Sequence, residues 1–261
     1  MTVATYTKES LIQALINIRS QGWIKSVRSR NNGAVGNTLE DLLGIKENNL
    51  PIPNAAEWEL KTQREETNSL VTLFHMEPSP LALNFVAQIL LPVYGWAHKQ
   101  AGLKYPIGEK SFRQTIKATN VSDRGFYVKV ERDNERVSVD FDINKVDPRH
   151  RDWRDAVIKN GGEILINKPY WGVNDLFHKA GTKLLNCFFV KAKTKKENRL
   201  EYFKFSEILM LKNISKDKII KSIEDGKIFV DFDARTQHNH GTKFRISQKH
   251  IPELYAESIN Y

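Results

Sequence analysis

The chain has 261 residues, 40% of them hydrophobic, with one cysteine, 40 Lys and Arg against 31 Asp and Glu, and a net charge of +9 with a pI near 9.4. That length allows one large domain or two modest ones, a single cysteine excludes an intrachain disulfide, and the positive balance suits a polyanion such as the DNA backbone. The most apolar stretch, 81–96, is broken by Asn84, Gln88, Pro92 and Gly95, and Met1 to Ser10 lacks a signal peptide's apolar centre, so no membrane partner and a soluble, cytoplasmic protein are expected.

Along the chain, Lys8 to Arg19 spaces Leu11, Leu15 and Ile18 for one face of an amphipathic helix. Lys25, Arg28 and Arg30 form a small basic cluster before a glycine-rich approach. Thr38 followed by Asp41 resembles a capping box, so a short helix is expected to start near Thr38, bury Leu39, Leu42 and Leu43, hold Glu40 in its first turn and stop at Gly44. Next comes Pro53-Asn54-Ala55-Ala56-Glu57-Trp58-Glu59-Leu60-Lys61. On a strand, Glu57, Glu59 and Lys61 share one face while Trp58 and Leu60 pack on the other. Such a row suits a metal-dependent nuclease: a carboxylate holds a divalent cation beside the scissile phosphate, and a lysine two residues on orients or deprotonates the attacking water and stabilises the developing charge. The same spacing occurs on ordinary exposed strands, so its context decides its meaning.

Leu70 to Phe74 reads as a strand following the Glu59 and Lys61 strand, which puts the catalytic edge on a sheet near the N-terminal third, with His75 after it. Gly125 to Val130 and Arg136 to Phe141 alternate on either side of Asp133-Asn134, a hairpin pattern. Pro148 to Arg154 is charge-rich, either a connection between parts or a surface helix. Ile164 to Ile166, Cys187 to Lys193 and Arg199 to Phe205 are strand candidates, with a helix over Asn174 to Leu185 and a basic turn over Thr194 to Asn198. Cys187, set among apolar residues, reads as core rather than nucleophile. Lys191, Lys193, Lys195 and Lys196 read as a solvated strand edge. Ser215 suits the N-cap of a helix reaching Ile223 and ended by Asp225-Gly226, before a strand over Lys227 to Phe232. The mixture is α/β or α+β around a mixed sheet.

The segment from Asp231 to Arg245 has the chemistry to read DNA, since arginine can donate two bonds to guanine, histidine can donate to purine acceptors and a carboxylate can accept from the cytosine amino group. His238 and His240 can face the same way, but zinc needs further ligands in register and none stands out.

Four pieces, GNTLEDLLG, ENNLPIPNAAEWELKTQRE, LVTLF and DFDARTQHNHGTKFRI, occur in the order and spacing that resemble the MvaI/BcnI family of type II restriction endonucleases, relatives of the mismatch-repair nickase MutH within the PD-(D/E)xK nuclease superfamily. The resemblance runs from about Gln21 to beyond Arg245. It implies an α/β fold with a restriction-endonuclease-like mixed sheet core flanked by helices, one nuclease domain over 1–261 with an N-terminal catalytic lobe and a C-terminal recognition lobe around a DNA cleft. It further implies Mg²⁺ held by Glu59 and the residue at Asn54 with Glu40 nearby, and Lys61 positioning water. Recognition positions fall on Asp231, His238, His240, Lys243 and Arg245, with Asp233 or Arg235 where some relatives place a base-reading arginine, and Arg28 and Arg30 fall near backbone phosphate. Also implied are a monomer that nicks each strand of double-stranded DNA in turn, a short GC-rich target of the CCNGG type and a cognate DNA methyltransferase.

One departure stands out. The family's motif opens with proline and a metal-binding aspartate, and here Pro53 is followed by Asn54. An amide oxygen coordinates Mg²⁺ without contributing charge. Three explanations stay open: a working site with Glu57 or Glu40 compensating, a naturally impaired enzyme, or a deliberate Asp-to-Asn change that traps an uncut complex. Two other functions stay open beside the restriction enzyme, a MutH-like nickase activated by a partner protein and a noncatalytic specific DNA-binding protein.

Overall fold

The computed structural model describes residues 6–26, 33–45, 57–236 and 238–261. Contacts divide the chain into two units, Met1–Val71 with Ala180–Ser215 and Ser247–Tyr261, and Thr72–Lys179 with Lys216–Ile246.

In the first unit the expected amphipathic helix spans Lys8–Ser20, opened by Thr7 and Ser10, each of whose hydroxyls accepts from the other's backbone N–H. Leu11, Leu15 and Ile18 bury one stripe in a core with Trp58, Leu60, Phe188, Val190, Phe203 and Phe205. The sheet beneath is five-stranded. Ile24–Lys25 and Tyr255–Asn260 pair with opposite halves of the long strand Leu200–Ile214, which runs antiparallel to Asn186–Glu197, and that strand takes Trp58–Arg64 in parallel at the edge. The hairpin turn is tighter than the expected 194–198 loop: pairing continues to Glu197 and Leu200, and Asn198 and Arg199 both adopt positive φ, 50° and 64°, as a two-residue I′ turn needs.

The glycine-rich segment behaves differently from the sequence expectation. Its helix spans Ala34–Leu42, and Thr38 is buried mid-helix with its hydroxyl donating to the Ala34 carbonyl at 2.7 Å, one turn back rather than capping. Ala34, Val35, Leu39 and Leu43 form the buried face and Leu42 is exposed. Glu40 therefore lies in the last turn, not the first. Gly36 is inside the helix, where a Cβ would stand 3.1 Å from the Thr62 hydroxyl, so glycine lets the helix lie close on the Trp58–Arg64 strand. The stop at Gly44 is as expected: φ is +66°, and the N–H groups of Gly44 and Ile45 donate back to Asp41 and Glu40 at 3.1 and 2.9 Å.

The second unit holds a six-stranded sheet in the order Val71–His75, Lys243–Ile246, Ile228–Arg235, Lys110–Ile116 and Trp96–Ala97, with His238–Asn239 pairing the end of Ile228–Arg235. The expected strand forms as Val71–His75 and lies in a different sheet from the preceding strand, with Phe74 stacked on Phe244 at 5.0 Å and Leu73 buried as well. A three-stranded sheet of Arg124–Glu131, Arg136–Val146 and Tyr170–Gly172 contains the expected hairpin. The charged 148–154 segment is a short 3₁₀ turn leading into the surface helix Arg151–Lys159. Residues 164–166 form no strand: Ile164 and Ile166 are 71% and 81% exposed and only Leu165 between them is buried, so no apolar face exists for a sheet to cover. Helices Val173–Leu184 and Lys216–Glu224 form where expected, the second ending before Gly226 at φ +67°. No helix among the described residues is long and apolar enough to cross a membrane.

Aromatic rings join the layers of this unit. Phe112 is fully buried, with Phe126 and Phe232 each 5.4 Å away edge-on and Trp96 at 5.7 Å. Replacing it by alanine removes three ring contacts and leaves a cavity. Phe112→Ala is expected to destabilise the protein by about 3–5 kcal/mol, read as a lower urea midpoint with an unchanged slope.

Candidate active site

Strand alternation sends Trp58 and Leu60 into the core under the helices and turns Glu59 and Lys61 to the opposite face. Glu59 is only 2% exposed. Its Oε1 lies 2.9 Å from Lys61 Nζ and 3.5 Å from Nζ of Lys183, delivered by the last turn of the Val173–Leu184 helix. Two ammonium groups offset the cost of burying the carboxylate, which runs to several kcal/mol for an unpaired ion. The other oxygen, Oε2, is buried and has no hydrogen-bond partner among the described residues. A buried anionic oxygen with open lone pairs is the donor that a hard divalent cation takes.

The parallel register puts Cys187 beside Glu59 and Phe189 beside Lys61. Burial pushes the Cys187 thiol up to about 12, with Lys61 pulling it down and Glu59 pushing it up. Tyr255, also buried, is raised well above the usual phenol range by burial first and then by Cys187 and Glu59. Cys187 is therefore core, as its sequence setting implied.

Glu57 is exposed just ahead of the strand, and Glu40 is half-buried on the helix packed against the Trp58 side of the sheet. Asn54, Arg28 and Arg30 lie outside the described residues. Among the described residues no group of three or more His, Cys, Asp or Glu gathers to hold a metal. Lys183 escaped the sequence reading: one lysine near a helix end looks like any other until the helix is docked.

In the second unit, Ile228–Arg235 alternates strictly, with Ile228, Val230, Phe232 and Ala234 buried and Asp231, Asp233 and Arg235 on the other face. Neighbouring strands lay cations beside these carboxylates. Arg245 reaches Asp231 at 3.0 Å, and the Thr115 hydroxyl donates to the same carboxylate at 2.7 Å. Lys243 and Arg113 both pair with Asp233, at 3.1 and 2.7 Å. Burial works to raise the Asp233 pKa, but the hydrogen bond and charge of Lys243, with the charges of Arg113 and His240, hold it below the ordinary aspartate value. Arg235 pairs with the buried Glu109 at 3.0 Å and lies over the Tyr105 ring at 4.7 Å. His238 and His240 are exposed at the end of this sheet, their rings edge-on 4.2 Å apart. The expected recognition residues thus share one sheet. Arg113 and Thr115 join them from a strand more than a hundred positions away, a pairing with no local signal in the sequence.

The lysine run is not the solvated edge expected of it, because its strand is paired on both sides as far as Ala192. Lys191 pairs with Glu207 at 2.7 Å, and Lys195 pairs with Glu197 and lies over Trp23 and Tyr202. His75 is exposed at the end of its strand.

The model of the MvaI/BcnI restriction endonuclease family matches residues 12–255. Two solved structures are similar over nearly the whole chain at 24% identity: a restriction endonuclease MvaI–cognate DNA substrate complex, with a TM-score of 0.76 over 98% of this chain and 99% of that one, and restriction endonuclease MvaI in the absence of DNA, with a TM-score of 0.55 over 100% and 99%. At that identity the likeness carries the fold, a restriction-endonuclease-like mixed α/β architecture. No curated protein sequence matches the chain.

The buried thiol gives a direct check on the site's interior. The thiolate is the nucleophilic form, and Cys187 is held as thiol far above neutral pH. Iodoacetamide at mildly alkaline pH is expected to leave the folded protein unlabelled and to modify one cysteine once denaturant is added; rapid labelling without denaturant would show that the Glu59 strand is open to solvent on that side.

Proposed function

Because the chain belongs to the MvaI/BcnI restriction endonuclease family, we propose that it is a type II restriction endonuclease that hydrolyses phosphodiester bonds in double-stranded DNA with Mg²⁺. One observation carries this reading: the buried Glu59 has one oxygen on Lys61 and the other without a hydrogen-bond partner among the described residues. Bound Mg²⁺ supplies charge stabilisation at the phosphate and a more acidic water. Glu59 would hold it through Oε2 with Asn54 as another expected ligand, and Glu40, whose helix packs on the Trp58 side of the sheet, would have to reach the ion past the end of the strand. Lys61 would orient the attacking water for in-line displacement and offset charge growing on the phosphate oxygens. In the other unit, Asp231, Asp233, Arg235, His238, His240, Lys243 and Arg245 would meet base edges, while Arg28 and Arg30 would meet phosphates. The proposal includes a monomer acting on one strand at a time, a short GC-rich target of the CCNGG type and a companion DNA methyltransferase.

A second reading rests on Asn54, which brings no charge where the family pattern has aspartate. It makes the chain a specific DNA-binding protein of impaired activity. Plasmid digestion with and without Mg²⁺, followed by sequencing of the ends, separates the two: cleavage at a fixed site supports the enzyme, and specific binding with intact DNA supports the second reading. DNA left uncut by the protein alone and nicked only when a partner protein is added would favour a MutH-like enzyme.

Lys183 remains to pair Glu59 when Lys61 is removed, so Lys61→Ala is expected to fold and bind DNA while turnover drops by about 10²- to 10⁴-fold. Near-normal cleavage by that variant would remove Lys61 from the reaction.

Asn54→Asp adds a negative ligand. It is expected to lower the Mg²⁺ concentration needed and raise the cleavage rate. An unchanged metal titration would point to Glu57 or Glu40 as the working substitute.

A further inference from the structure

Aliphatic side chains scattered on a surface need no explanation, but a pair of them at the tip of a well-fixed loop does. Between the strands Trp96–Ala97 and Lys110–Ile116 the chain turns through residues 98–109. Leu103 and Ile107 there are 85% and 89% exposed. A Cβ on Gly102 would lie 3.6 Å from the Ile107 side chain, so Ile107 and the turn carrying Leu103 form one tip.

The loop's backbone is tied down. The N–H groups of Leu103, Lys104 and Tyr105 all donate to the Gln100 carbonyl at 3.1 Å, Gly102 donates to Tyr105 at 2.8 Å, and His98 closes the base by donating to Glu109 at 2.9 Å. The Tyr105 ring meets His98 edge-on at 4.7 Å and carries the Arg235 guanidinium at 4.7 Å, and Arg235 is itself paired with Glu109. The loop is thereby fastened to the end of the strand that bears Asp231 and Asp233. Lys99 and Lys104 are exposed around the tip, and Arg113 is exposed at the base. The one carboxylate of the loop, Glu109, is buried against Arg235. An apolar point ringed by cations fits a partner that offers phosphates outside and stacked apolar surfaces inside.

We propose that the 98–109 loop is a preformed DNA finger, in which Lys99 and Lys104 seat on backbone phosphates and Leu103 and Ile107 wedge into a base step. The proposal rests on the DNA-cutting reading above and extends it: beside the polar sheet face that reads hydrogen-bonding groups, the finger reads how easily a step is unstacked.

The test compares wild type with the double variants Leu103→Ser/Ile107→Ser and Lys99→Ala/Lys104→Ala. Binding to a short fluorescein-labelled random-sequence duplex is measured at low and physiological salt with Ca²⁺ present, and 2-aminopurine fluorescence in matching duplexes reports unstacking. The serine pair is expected to weaken binding about tenfold with the salt slope unchanged and to abolish the 2-aminopurine brightening that wild type produces. The alanine pair is expected to weaken binding and flatten the slope by about 1.8, two phosphate contacts' worth. None of the four side chains is buried, so melting curves should match wild type. Wild-type affinity and brightening in the serine pair overturn the finger. A serine pair that binds DNA normally but sediments as a smaller species than wild type also overturns it, making the tip a self-association patch. Failure of wild type to bind any duplex is a different result, and it sinks the DNA-cutting reading together with the finger.

Discussion

A carboxylate taken out of water must find cations or donors within the protein, or it loses several kcal/mol. The first unit is organised around that requirement at Glu59. The strand's period of two puts Trp58 and Leu60 in the apolar core and leaves Glu59 and Lys61 together on the other face. Parallel pairing with Asn186–Glu197 sets Cys187 against Glu59, and the helix before that strand brings Lys183 to the same oxygen. Cys187 and Tyr255 could each have added negative charge here. Burial raises both above ordinary values that already lie above neutral pH, so neither adds charge beside the ion pairs of Glu59 with Lys61 and Lys183. The oxygen left over, Oε2, has no hydrogen-bond partner among the described residues and is the donor that the proposed Mg²⁺ would take.

The second unit solves a related problem on its surface. Asp231 and Asp233 stand two apart on one strand, and cations from the strands on either side close onto them. Such pairs hold long side chains extended across the sheet, which lowers the conformational entropy lost when those same groups meet a ligand. In the proposed complex each cation would exchange a carboxylate for a base or phosphate acceptor rather than leave water for the first time. An exchange of that kind adds little net affinity but penalises a wrong sequence, because a cation that gave up its aspartate and found no acceptor would be left unpaired. Affinity would then come largely from groups outside this ladder.

What the sequence determined by itself was local. The helix at Lys8–Ser20, the hairpin around Asp133-Asn134 and the helix ended by Gly226 follow from apolar spacing, caps and turn residues acting over a few positions. The common face of Glu59 and Lys61 follows from the strand's period alone, and the ordered motifs carried the family. Burial decided what those rules left ambiguous. Thr38 looks like a cap, yet its hydroxyl turns back to Ala34 because Val35 and Leu39 draw the helix start into the core. Ile164 and Ile166 look like a strand, yet only Leu165 finds an apolar surface.

Tertiary structure alone decided which partner each charge meets. Val71–His75 follows the Glu59 strand in the chain but joins another sheet, where Phe244 awaits Phe74. Lys183 reaches Glu59, Arg113 reaches Asp233, and Thr115 bonds Asp231 across 116 positions. The reason is that propensity and periodicity act along the chain, whereas a buried or half-buried charge is stabilised by whatever packing brings within a few ångströms. That distance is set by the pairing of remote strands, and no window of the sequence contains it.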